Sequence, residues 1–337
     1  MTYLFSRTSS RWLGLIIGIL LLIASFTSSI VFGQTPITFN TVMETFWSFD
    51  ENSTEHIIIT TTRISRAVIA TVIGSSLAVA GALMQALTRN PLASPSIFGI
   101  NAGAVFFVVL AVTFFSFSSL TQYMWIAFLG AGVAAIMVYL LGSFGRDGLS
   151  PIKIVLAGAA ITALFVSLTQ GLLVINGQNL EGVLFWLAGS VAGRTLDMLV
   201  PILPFMIGGW LVALFLGHSV NILTLGEDVA KGLGQRTILV KTLMAIVIII
   251  LAGGSVAVGG SIGFIGLITP HIVRGLVGSD YRWILPYCAL YGASLLLLAD
   301  IAARFIMMPQ EVPIGVMTAL IGTPFFIYLA RRGFSKE

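Results

Sequence analysis

The chain has 337 residues, of which 57% are hydrophobic and 9% charged, and its mean hydropathy is +1.03. A water-soluble domain carries roughly 25% charged residues, so this composition excludes a soluble globule and requires lipid around the protein. The net charge of +4 and pI ≈ 9.4 come from scattered Lys and Arg without a basic run, which excludes a nucleic-acid surface and points to orientation in a membrane.

A membrane helix needs about 20 mostly apolar residues, because the hydrocarbon core is about 30 Å thick and each residue rises about 1.5 Å. Arg7 and Arg11 precede an apolar run, Leu13–Phe32. A signal peptide has an apolar region of about 7–15 residues followed by a small-residue cleavage site; this run is longer and lacks that site, so it reads as a retained first span. Further spans are expected at Ala67–Leu87, Ser96–Phe115, Tyr123–Leu141, Ile154–Ile175, Met198–Leu216, Leu239–Val258, Leu285–Arg304 and Pro313–Ala330. A shorter segment, Gly263–Val273, is expected to cross deep in the bundle as a broken helix. The prediction is an all-α polytopic bundle of about ten crossings, with residues 1–337 forming one transmembrane domain.

Charge supports this order. With the N-terminus inside, Arg63, Arg66, Arg194 and Arg304 fall outside, and the other thirteen of the 17 Lys and Arg fall inside, the asymmetry that the positive-inside rule requires. Omitting Gly263–Val273 would put Arg331, Arg332 and Lys336 outside, so the short crossing is kept. The 36 glycines cluster within spans, where small residues let helix backbones approach closely. Gly81 before Asn90-Pro91 and Gly260 before Thr269-Pro270 form a faint internal echo.

Asp300 is the one carboxylate inside an expected span, one turn from Arg304, and reads as a local i,i+4 pair. That scarcity of buried charge argues against a proton relay. No phosphate-binding loop motif occurs, so the chain is not itself an ATPase. Cys288 is the only cysteine and 3 His lie far apart, which gives no disulfide, no zinc-type ligand set and no metal site. The longest charged inner loop is Asn221–Arg236. Glu227 and Asp228 suit a helix start, Val229, Ala230 and Leu233 then share a face, and Gly234 can end it. Such a helix either docks in a partner's groove or simply joins two spans.

Several stretches resemble the permease family of type II ATP-binding-cassette importers, which take up ferric siderophores, haem and cobalamin. They are Arg63-Ile-Ser-Arg66, Gly81–Pro95 and Phe98–Gly103; Leu225-Gly-Glu-Asp-Val-Ala230 with Leu233-Gly234; Gly263–His271; and Leu297–Arg304, Glu311–Gly315 and Gly322–Phe325. They come in the family's order from Arg63 to Arg331; the N-terminal span is generic. The resemblance implies ten helices, a second permease subunit (the same or a related chain), two cytoplasmic ATPases that use ATP, an extracytoplasmic binding protein, and no cofactor bound by the chain itself. It implies that Leu225, Gly226, Glu227, Asp228, Val229, Ala230, Leu233 and Gly234 form the coupling helix. It also implies that Arg63, Arg66 and Arg304 face acidic residues of the binding protein, and the charge-based topology separately places all three outside. They would form a basic patch, with Arg63 and Arg66 one turn apart at the start of a helix.

The solute path is expected around Ala67–Leu87 and Ile154–Ile175, with Leu149-Ser150-Pro151 as an inner gate. Ser75, Ser76, Gln85, Thr162, Ser167 and Gln170 either line it or join helices by hydrogen bonds. Phe185-Trp-Leu-Ala-Gly-Ser190 resembles siderophore relatives. The expected activity is ferric-siderophore import across a bacterial cell membrane, with both termini cytoplasmic. Cobalamin or haem import is the alternative, and an ion-coupled secondary transporter or a membrane enzyme are the rival classes.

Overall fold

The computed structural model describes residues 4–5, 7–115, 119–144, 150–175 and 188–334, without the side chains of 175, 329, 330 and 332–334. Arg146, Leu149, residues 185–187 and Lys336 therefore lie outside the described residues. Among the described residues the chain is helical, with no strand. Ten helices cross: α1 Thr8–Val31, α3 Ile64–Thr88, α4 Ile100–Phe114, α5 Leu120–Ser143, α6 Pro151–Ile175, α7 Leu203–Thr224, α9 Thr237–Gly259, α10 Ile265–Val277, α11 Tyr281–Phe305 and α12 Ile314–Phe334. Among the described residues, the short helices that do not cross include α2 Phe39–Trp47 and α8 Glu227–Gly232, besides single turns at Thr54–Ile57 and Leu196–Leu199. Seven of the crossing helices are long and apolar enough to span a bilayer alone. The remaining three, α4, α10 and α12, are shorter apolar helices.

The expected spans agree with these helices apart from their ends. The largest shift is at Met198–Leu216, where the helix runs from Leu203 to Thr224. Pro201 and Pro204 are the reason: proline lacks an N–H and is best accommodated in a helix's first turn, so a short helical turn ends at Leu199, residues 200–202 turn, and α7 starts with Pro204 in its first turn. The helix α2 was not anticipated; the Thr38 hydroxyl caps it by accepting from Thr41 N at 3.2 Å. Arg63 and Arg66 are also not at a helix start. A helical turn at Thr54–Ile57 and a wider π-type segment at Ile58–Arg63 run straight into α3. Both arginines therefore sit inside one continuous helical rod, Thr54–Thr88.

The rod ending in α3 is the centre of the bundle. It is 89% buried, whereas only 28% of α1 is, and α1 turns Leu20 and Ile23 outward to lipid. The most extensive packing of α3 is on α11 and then on α9. Glycine makes these approaches possible. A Cβ on Gly81 would lie 1.9 Å from the Gly266 carbonyl oxygen of α10, and one on Gly74 would lie 2.5 Å from the Gly292 carbonyl oxygen of α11. In lipid, close van der Waals packing takes the place of the hydrophobic effect between helices.

Two segments that are not α-helical reach into the bundle. Residues 89–99 return from the end of α3 toward the middle of the bundle, where the Ile97 carbonyl sits against Gly158 of α6. Residues 260–264 join α9 to α10 and lie against Gly189, Gly315 and Gly322. Such backbone is stable at membrane depth only where protein covers it or it lines a cavity. In the first turn of α4, just after the first segment, Asn101 Nδ2 donates to Ser261 Oγ of the second at 2.9 Å.

Candidate translocation site and docking surfaces

The first candidate region is the arginine cluster expected on the outside. The structure brings Arg63, Arg66 and Arg304 together, but buries them to 4%, 8% and 2% exposure. The Arg63 guanidinium donates to the carbonyls of Ile30 and Val31 at 2.8 and 2.6 Å, and to that of Thr35. Arg304 donates to the carbonyls of Ser29 and Phe32, both at 2.7 Å, and to Ser29 Oγ at 2.8 Å. These carbonyls lie at and just beyond the end of α1, where no helical N–H remains to satisfy them. Asp300 is fully buried between two arginines: Arg66 grips it with Nε and Nη2 at 2.8–3.0 Å, and Arg304 pairs with it one turn on. Glu311 takes the remaining arm of Arg66 at 2.6 Å.

The Asp300–Arg304 pair is the local pair expected from spacing. The free basic patch is not what forms. Unpaired guanidinium groups at this depth would be costly, so each takes carboxylates or helix-end carbonyls from its own chain.

The second region is the polar lining. Among the described residues, Ser75, Ser76 and Gln85 lie inside the subunit and line none of its main cavities. Ser75 Oγ donates to the Ala289 carbonyl at 2.8 Å. Gln85 accepts from Arg274 Nη1 at 2.6 Å while its amide points at the carbonyls of Gly266 and Leu267. The bonds of Ser75 and Gln85 join helices, whereas Ser76 Oγ is buried without a hydrogen-bond partner among the described residues. Thr162 and Gln170 do line a cleft, of about 410 Å³, together with Asn101, Thr169 and Ser261. Ser167 is exposed on the same helix and does not line it. Ser150 Oγ accepts from Lys153 N at 3.3 Å and so caps α6. The adjoining Pro151 and Ile152 face Thr88 and Asn90 across a separate cleft of about 230 Å³.

Sequence reasoning missed Asn101 and Ser261. A third cavity, of about 300 Å³, is lined by Asn101, Ser94, Ser96, Ile262 and Phe264. Asn101 thus borders both this cavity and the α6 cleft, and its bond to Ser261 stands where they meet. The available signal was Asn101's place in the Phe98–Gly103 stretch, two residues after Gly99, whose φ of 69° favours glycine.

The third region is the loop after α7. The helix α8 forms at Glu227–Gly232, preceded by Gly226 at φ 131° and followed by Gly234 at φ 78°. Its apolar residues divide. Ala230 is fully buried against its own subunit, while Leu225, Val229 and Leu233 are 67%, 49% and 64% exposed. The expected face of Val229, Ala230 and Leu233 is therefore replaced by Leu225, Val229 and Leu233, four residues apart, because small Ala230 is the residue that fits against the bundle.

The loop is firmly mounted. Glu227 pairs with Lys241 at 2.6 Å and with Lys231 at 3.3 Å, and the hydrogen bond from Lys241 holds its carboxyl below the usual range. Gln235 Nε2 donates to the Ser219 carbonyl at 2.8 Å. At the loop's base Asn221 donates to Asp280 at 2.6 Å. Hydrogen bonds from Arg282, then from Asn221, lower the Asp280 pKa to about 2.

Comparison with known proteins covers nearly the whole chain. The model of the FecCD transport family matches residues 20–332. The chain is 54% identical to the "Probable siderophore transport system permease protein YfiZ" of Bacillus subtilis, over 97% of this chain and 98% of that protein. It is 44% identical to the Fe(3+)-citrate import system permease protein YfmD of Bacillus subtilis, over 97% of each. A solved inward-facing metal-chelate type ABC transporter superposes with a TM-score of 0.82 at 30% identity, over 94% of this chain and 98% of that one.

Proposed function

The chain belongs to the FecCD transport family, and we propose that it is the permease subunit of an ATP-binding-cassette importer that carries a ferric siderophore. The observation that carries this reading is its similarity, over nearly its whole length, to a siderophore permease and a ferric-citrate permease. As a member of a transport family it is a multi-pass membrane protein that moves its substrate without covalent chemistry.

In the proposed assembly the whole chain acts as one permease domain in a bacterial cell membrane, with both termini cytoplasmic. It pairs with a second permease, identical or related. Two cytoplasmic ATPases seat on the Leu225, Val229 and Leu233 face. ATP binding and hydrolysis there bias the two access states through the loop that Glu227 and Asn221 mount. An extracytoplasmic binding protein delivers the chelate to the outer face braced by Arg63, Arg66 and Arg304. The chelate then passes along the α6 cleft, whose lining of amides, hydroxyls and apolar groups suits a bulky cargo held weakly.

The test is uptake of a labelled panel of ferric hydroxamate, catecholate and citrate complexes, haem and cobalamin, in cells lacking the gene and any redundant permease. Loss of one ferric chelate, restored by the gene, is expected. Loss confined to cobalamin or haem would move the substrate within the family, and normal uptake of the whole panel would remove the transport reading.

A further inference from the structure

Four arginines belong to the outer side of the chain, and three of them are spent on partners. Arg194 is the exception. It is nine-tenths buried, yet among the described residues no carboxylate pairs with it, and its one side-chain bond is a long one, Nε to the Ser190 carbonyl at 3.4 Å. Burial lowers its pKa with no opposing carboxylate. A buried cation without partners is expensive, and the other three are all compensated: Arg66 has two carboxylates, Arg304 has one, and Arg63, which has no carboxylate, donates to three carbonyls.

The position of Arg194 is equally informative. It closes the segment 188–194, which is fastened to the path-lining turn: Ser190 N donates to the Gly259 carbonyl at 2.9 Å, and Gly315 N to the Gly189 carbonyl at 3.1 Å. Gly189 packs against the Ser261 carbonyl, and open space lies beside Gly193. Ser261 lines the α6 cleft, whose lining includes no charged residue. Arg194 is therefore a guanidinium with a single long hydrogen bond, at the end of a segment that packs through Gly189 and Ser190 against the turn bordering an uncharged cleft.

We propose that Arg194 receives an anionic oxygen group, a carboxylate of the iron chelate, as the chelate enters the path. The inference rests on the transport reading above. A guanidinium fork matches a carboxylate with two parallel hydrogen bonds, and a chelate arriving there supplies the counter-charge that Arg194 lacks.

The test uses cells in which the complete importer is the only route for iron chelates. Arg194→Gln and Arg194→Lys are compared with wild type for uptake of ⁵⁵Fe as a citrate complex and as a trihydroxamate that has no free carboxylate. Arg194→Gln removes an unpaired buried charge, so it should accumulate normally in the membrane. It should lower citrate-complex uptake by about tenfold or more, mainly through KM, the change expected for one charge-assisted pair. Trihydroxamate uptake should stay within about twofold of wild type, and Arg194→Lys should recover part of the loss.

Equal loss of both chelates would assign Arg194 to binding-protein docking or subunit assembly and overturn the proposal. Unchanged uptake of both, or a wild type that carries only the trihydroxamate, would overturn it as well. A wild type that carries no ferric chelate would remove the transport reading itself, a result distinct from a silent Arg194→Gln.

Discussion

Asp300 offers the sharpest test of how the outer end of the bundle is held. It is the carboxylate shared by two buried arginines, and Asp300→Asn keeps its shape while removing its charge. Arg66 would keep Glu311 at 2.6 Å, but Arg304 would lose the only carboxylate it pairs with among the described residues and keep the carbonyls of Ser29 and Phe32. Removing one partner of a buried ion pair costs about 3–5 kcal/mol, because the other charge stays behind. With Arg66 partly compensated, about 3 kcal/mol is expected. Glu311→Gln should cost about 1 kcal/mol or less, since Glu311 is partly exposed and Arg66 keeps its two-armed grip on Asp300. The double variant should cost more than the two single changes together, because Arg66 then loses both partners. Asp300→Asn with Arg304→Met should recover part of the loss, since deleting a buried pair whole is cheaper than halving it. The measurement is the thermal midpoint of the purified subunit in detergent, with membrane abundance alongside. Equal, mild effects of Asp300→Asn and Glu311→Gln, or no recovery with Arg304→Met, would refute the account.

The same reasoning yields three further expectations. Gly81→Ala must open the α3–α10 crossing by about 1 Å or more against backbone and should cost about 1–3 kcal/mol or more, whereas Gly132→Ala, with nothing within 4 Å, should leave the midpoint unchanged; equal midpoints would contradict the crossing. Val229→Asp puts a charge on a half-exposed position that would be desolvated by an ATPase, so the subunit should insert normally but fail to co-purify with the ATPase or to couple transport, and full uptake would make the loop a mere connector. Asp280, lowered from 3.8 to about 2, contributes stability that is present above about 3.8 and is lost as pH falls through about 2. The stability gap between wild type and Asp280→Asn should therefore be flat from about pH 5 to 8, and a gap that changes across that range would exclude the assignment.

The spans were legible because lipid demands long apolar runs, and the short α10 was legible only through charge, since without it Arg331 and Arg332 change sides. The partners of the arginines were not legible. Asp300 and Glu311 lie 234 and 245 residues from Arg66, and the carbonyls that take Arg63 and Arg304 carry no side-chain signature at all. Spacing could place the three cations at one end of the bundle but not show that they were already paired. Asn101 and Ser261 meet across 160 residues, one in the first turn of α4 and the other in the non-helical link 260–264, so no pattern linked them. On α8 the periodicity was right and the facing wrong, because a six-residue helix has one side on its own bundle and the other free, and only packing decides which side takes Ala230.

A more general limit lies in the helices themselves. Both α1 and α9 are equally apolar, yet 28% of one and 72% of the other is buried in protein. In water, a polar face would tell the two sides of a helix apart; in lipid both sides are apolar, and hydropathy carries little about orientation. Small residues carry it instead. The inner half of α9 packs through Ala252, Gly253, Gly254, Ser255, Ala257 and Gly259, whereas α1 presents Leu and Ile around most of its circumference and is buried mainly at Gly14, Gly18, Ser25 and Ser29. Close backbone approach needs those side chains to be absent. Reading the positions of glycine, alanine and serine within each apolar run would therefore have identified α3 and α9 as central and α1 as peripheral. It would also have directed attention to Gly81 and Gly266, where α3 crosses the helix that begins at the path-lining turn.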